Sequence, residues 1–123
     1  MPTFLRSRWF HLALWLGVVF GLSSIPDLKP PGAGIAGIDK LFHAGEYAVL
    51  GALWGRARRG GRWPALQGAL VGLVVGSLDE LSQGRVPGRE KDVLDAVADL
   101  LGATCGCLAW SLWTRRRRDP ILS

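Results

Sequence analysis

The chain has 123 residues, of which 49% are hydrophobic, with 17 glycines and a formal charge of +5. That length holds one domain, and the apolar, glycine-rich composition fits packed membrane helices better than a soluble domain. The positive charge does not indicate nucleic acid, because most of the arginines flank apolar runs, the placement that orients membrane helices.

Cys105 and Cys107 lie two apart within an apolar run. On a helix they point in different directions and cannot readily bridge each other. They are expected to be small apolar filler, and no metal site is expected. The sequence names no cofactor.

The first apolar stretch, 9–24, follows Arg6 and Arg8 and is expected to be retained as a first membrane helix, since no clear cleavage site follows it. A linker rich in proline and glycine comes next, with Pro26, Pro30, Pro31, Gly32, Gly34 and Gly37. A second helix is expected over 38–57. Hydropathy alone would reject it, because it opens with Asp39, Lys40, His43 and Glu46. The third helix, 64–81, starts on proline, which the first position of a helix tolerates. A polar loop over 82–91 leads to the fourth helix, 92–114, which ends in Arg115 to Arg118.

Positive charge argues for counting the second helix as a span. Arg6 and Arg8 precede helix one, Arg56, Arg58, Arg59 and Arg62 lie between helices two and three, and four arginines follow helix four. These ten of fifteen basic residues fall on one side only with four spans and both termini cytoplasmic. Trp9, Trp54, Trp63, Trp110 and Trp113 fall at the same interface. The expected fold is therefore an all-α bundle of four transmembrane helices. Each carries glycines four apart, namely Gly17 and Gly21, Gly51 and Gly55, Gly68, Gly72 and Gly76, and Gly102 and Gly106. That spacing makes a smooth face for close packing.

Eight of the ten acidic residues then fall at the opposite, extracytoplasmic end: Asp39, Glu46, Asp79, Glu80, Glu90, Asp92, Asp95 and Asp99. Lys40, His43, Arg85, Arg89 and Lys91 join them there. Asp39, His43, Glu46 and Tyr47 share one helical face, which continues to Leu50. Asp92, Asp95 and Asp99 share another, while Asp79, Glu80 and Gln83 close helix three. Asp99 lies about 10 Å below the start of its helix. A charge there facing lipid costs roughly 2.5 kcal/mol or more, so it is expected to face the interior. Three inward polar stripes would make an outer pocket. The plainer alternative is architectural pairing, of Arg89 with Asp95 or Lys40 with Asp79, together with helix capping by Asp92.

In order along the chain, these residues resemble a known pattern. Asp39-Lys40-Leu41-Phe42-His43 with Glu46-Tyr47 and Leu50-Gly51 resembles the first motif of the VanZ-like family. Asp79-Glu80, Gln83, Pro87-Gly88-Arg89, Asp92, Asp95, Asp99 and Gly102 resemble its second, and Ser23-Ser24-Ile25-Pro26 resembles its first outer loop. The resemblance covers about residues 10 to 110. It implies a multi-pass protein of a bacterial cytoplasmic membrane, in a family whose namesake is associated with resistance to the glycopeptide teicoplanin. The family often has asparagine where this chain has Asp99.

Three functions fit these residues. The first is recognition or modulation, at the outer face, of an anionic lipid or lipid-linked peptidoglycan precursor. Arg85 and Arg89 would hold a phosphate or carboxylate, with Asp92, Asp95 and Glu80 orienting them. Asp39, Lys40, His43, Tyr47, Gln83 and Asp99 complete the expected ligand site. The second is an acid–base or metal-dependent enzyme using His43, Glu46, Asp79 and Glu80. The chain lacks an obvious nucleophile and any compact metal motif for it. The third is a transporter or structural partner of other envelope proteins, with homo-oligomerisation open to the glycine faces. Nucleic acid is not an expected partner. The arginines at 115–118 read as a membrane stop and an anionic-lipid contact.

Overall fold

The computed structural model describes residues 3–25, 37–59, 61–83 and 93–118. Among them a short 3₁₀ turn, Thr3–Arg6, precedes four α-helices, and there are no strands: α1 Arg8–Ser23, α2 Ile38–Ala57, α3 Pro64–Gln83 and α4 Val93–Arg118. The expected helices are all present. α3 runs two residues past the expected end, and α4 continues through the arginine run, because no residue there breaks a helix.

Local chemistry sets several of these boundaries. Ser7 caps α1, its hydroxyl accepting the Trp9 N–H at 3.2 Å. Gly37 precedes α2 with φ +81°, a conformation glycine adopts without strain. The α2–α3 connection reverses direction through left-handed backbone at Arg59, Gly61 and Trp63. Gln67 braces it, donating to the Arg62 carbonyl at 2.6 Å and accepting from the Trp54 indole at 3.0 Å.

The core is built from small residues. A side-chain carbon at Gly102 would collide with the backbone carbonyl of Ala44, one at Gly106 with that of Ala48, and one at Gly51 with that of Ala103. α2 and α4 therefore touch backbone to backbone. α3 packs on the other side of the same α4 segment. A carbon at Gly68 would lie 2.7 Å from the Ala103 carbonyl oxygen, and one at Gly72 would lie 2.9 Å from the Ala103 methyl. Ala103, fully buried, is thus held between two glycine surfaces. In α1 the expectation fails. Gly17 and Gly21 have nothing within 4 Å, because α1 joins the bundle through larger side chains. Buried Leu12 and Val19 and partly buried Trp15 and Leu16 make that contact.

The outward faces carry the large apolar residues. Leu14, Leu66, Leu73, Val74, Leu78, Leu101 and Leu112 are all at least half exposed, whereas Asp79 and Asp99 are buried. This inverts the usual soluble arrangement. By length and composition two helices can cross a membrane, Pro64–Ser82 and Leu94–Arg117. α1, at 16 residues, is shorter than the roughly 20 a span needs, and α2 carries the polar stripe that lowers its hydropathy.

Gly106→Val, forced against the Ala48 carbonyl, is expected to destabilise the bundle by at least about 2 kcal/mol. Gly17→Val should be near neutral. Thermal unfolding of the two variants side by side in one mild detergent checks the contrast.

Candidate functional site

Close contact of α2 with α4 brings two polar stripes together, one turn at a time. Lys40 and His43 lie on adjacent turns at the start of α2, and Asp95 and Asp99 on adjacent turns at the start of α4. The Lys40 ammonium lies 2.7 Å from Asp95 Oδ1. His43 Nδ1 lies 3.1 Å from Asp99 Oδ1, and its Nε2 lies 3.7 Å from Asp95 Oδ2. A carboxylate oxygen thus lies near each ring nitrogen, and the Nδ1 contact with Asp99 is the hydrogen bond. α3 completes the group. The Tyr47 hydroxyl donates to Asp79 Oδ2 at 3.3 Å, deep between α2 and α3.

Gly76 of α3 forms the floor beneath Asp99. A side-chain carbon at Gly76 would lie 3.4 Å from Asp99 Oδ2, so the carboxylate fits because that position has no side chain. Exposure falls along the network, from 27% at the Lys40 side chain and 20% at His43 to 15% at Asp95 and 3% at Asp99. The cations stand at the mouth and the deepest group is an acid. A buried carboxylate without partners would be costly, and the imidazole contact offsets that cost.

Several sequence expectations hold here and others change. His43, Tyr47, Asp79, Asp95 and Asp99 converge, as the three stripes require. Lys40 pairs with Asp95 and not with Asp79, because the glycine contacts place the first turn of α2 beside α4. His43 meets Asp99 and Asp95 of the facing helix. The Glu46 backbone carbonyl accepts the Trp15 indole at 3.0 Å, which ties α1 to α2. Glu80 is half-buried and makes no hydrogen bond or ion pair among the described residues. The side chains of Asp39 and Gln83, and all of Arg85, Arg89 and Asp92, lie outside the described residues. The proposed pairing of Arg89 with Asp95 and capping by Asp92 fall outside with them.

Sequence reading missed two residues. Trp15 was absent from the interfacial tryptophan map, and only packing shows it reaching a carbonyl of α2. Gly76 was read as packing alone, and its glycine spacing gave no hint that it faces a carboxylate.

The chemistry of this arrangement is that of a held charge network. His43 Nδ1 is held by Asp99, while Nε2 faces Asp95 at a distance longer than a hydrogen bond. Among the described residues no three His, Cys, Asp or Glu side chains converge to hold a metal ion. No family model, curated protein or solved structure matches the chain.

Substituting either member of the His43–Asp99 pair strands the other in the interior. A double-mutant cycle with His43→Leu and Asp99→Leu should give a coupling energy of about 1–3 kcal/mol. Unfolding of the four proteins in detergent measures it, and simple additivity would show that the contact contributes nothing.

Proposed function

We propose that this chain is a VanZ-like, four-span protein of a bacterial cytoplasmic membrane. In this reading both termini are cytoplasmic, and the polar end recognises or modulates an anionic, lipid-linked component of the cell envelope. Arginine and tryptophan gather at one end of the helices and acids at the other, which supports the orientation. The outward leucines support lipid surroundings. The order of the motif residues supports the family.

The observation that carries the functional reading is the graded network of Lys40, His43, Asp95 and Asp99. Its acids are deep and its cations are at the mouth, and the segment joining α3 to α4 at that same end carries Arg85 and Arg89. The carboxylates neutralise and orient Lys40 and His43, so the anion itself falls mainly to the arginines. Teicoplanin carries a fatty acyl chain, and a membrane protein acting on its anchoring or its target would account for a resistance phenotype.

Native mass spectrometry of the full chain in mild detergent, incubated with a polyprenyl-phosphate-linked peptidoglycan precursor, tests this reading. Wild type should retain the precursor, and Arg89→Ala should lose it about tenfold or more, in line with a lost charge-assisted contact. Equal retention by Arg89→Glu would end the reading. A stoichiometric divalent metal lost on His43→Ala would instead favour the enzyme. Retention of neither would leave a purely architectural network.

A further inference from the structure

At the opposite end of the bundle a second cleft opens, of about 400 Å³, lined by Arg8, Arg56, Arg59, Trp110 and Thr114. Three arginines thus line one space, from the start of α1 and from the end of α2 with the turn that follows it. Among the described residues none of the three is paired with a carboxylate. Among the described residues Arg56 meets an imidazole in place of a carboxylate. Arg56 Nη1 lies 2.7 Å from His11 Nδ1, and since a guanidinium only donates, that imidazole nitrogen accepts and carries no proton.

The sequence explains the imbalance. Nine of the ten acidic residues precede the α4 arginines along the chain, and Asp119 alone follows them. The backbone helps to gather the charge. Arg59 has φ +56°, a left-handed turn rare for a side chain of its size, and its side chain lines the same cleft as Arg56. The Trp110 ring closes the α4 wall against Gly55, where a side-chain carbon would lie 3.1 Å from the indole. The Thr114 hydroxyl donates to the Ser111 carbonyl at 3.0 Å, so it presents lone pairs and not a proton to the cleft. The charged donors lining the cleft are the guanidiniums.

Three like charges gathered in one cleft repel unless an anion joins them. Guanidiniums match phosphate geometry closely, and tryptophan at the rim is typical of the headgroup level of a bilayer. We propose that this cleft binds the phosphate of one anionic phospholipid headgroup, as a defined site distinct from the diffuse attraction of the exposed arginines at 115–117. The site does not depend on what the polar end recognises.

The test is native mass spectrometry of the full chain in detergent with added phosphatidylglycerol, with phosphatidylcholine as the zwitterionic control. Wild type should retain one phosphatidylglycerol preferentially. The pair Arg8→Gln with Arg59→Gln should lower retention by about tenfold or more, whereas Arg115→Gln with Arg116→Gln should change it less than about twofold. Arg56 is left intact because it holds α1 to α2. Arg8→Lys with Arg59→Lys should recover part of the binding, which a misfolded variant would not. Equal loss in the two Gln pairs would reduce the cleft to general surface charge and overturn the proposal. So would unchanged retention in the first pair. Displacement by glycerol phosphate at concentrations matching the lipid would overturn the lipid source in favour of a free phosphate ester. The precursor bound at the polar end differs in mass and responds to Arg89, so the failure of either site is read separately.

Discussion

The polar network depends on the contact of α2 with α4 at bare backbone. Gly102 and Gly106 sit on the carbonyls of Ala44 and Ala48, and Gly51 sits on that of Ala103. Side-chain carbons at these positions would push the helices apart. The ion contacts at their upper turns have little slack. Lys40 and His43 reach Asp95 and Asp99 at 2.7 and 3.1 Å, and a helix shift of an ångström or two would break both. Glycine packing and charge pairing are therefore one arrangement. In an apolar setting van der Waals contact of this kind replaces the hydrophobic effect as the force between helices.

The two ends of the bundle solve opposite electrostatic problems. At one end acids are buried and each is given a partner, His43 for Asp99 and Tyr47 for Asp79. At the other end arginines remain near the surface, two of them against rings, and the tryptophans there meet rings and an amide. Arg117 stacks over Trp113 at 4.6 Å, Trp9 meets Trp54 edge-on at 6.0 Å, and Trp54 bonds Gln67 at 3.0 Å. Charge left over at this end stays exposed, as at Arg59 and Arg115 to Arg117, whereas the deep acids of the first end are met within the protein.

α1 stands apart from this scheme. Its glycines face no neighbour, and its hold on the bundle comes from the Trp15 indole on Glu46, His11 on Arg56, and the side chains of Leu12, Leu16 and Val19. An apolar groove of about 300 Å³ remains between α1, α2 and α3, lined by leucine, valine and Trp54. The three-helix unit of α2, α3 and α4 holds all the network residues described, and α1 braces it from the side.

Much of this was legible in the sequence. Helical periodicity and charge position located four helices to within a turn, including α2, which hydropathy alone would have rejected. The spacing of His43 and Tyr47, and of Asp95 and Asp99, named network residues, because spacing along a helix fixes which side chains share a face. Partner choice was not legible. That Lys40 meets Asp95, that His43 turns to α4, that Gly76 makes room for Asp99, and that Gly17 and Gly21 pack on nothing all depend on the relative rotation and depth of helices. No local pattern encodes those two quantities. They emerge when glycine surfaces from three helices close on Ala103, and only the tertiary structure decides them.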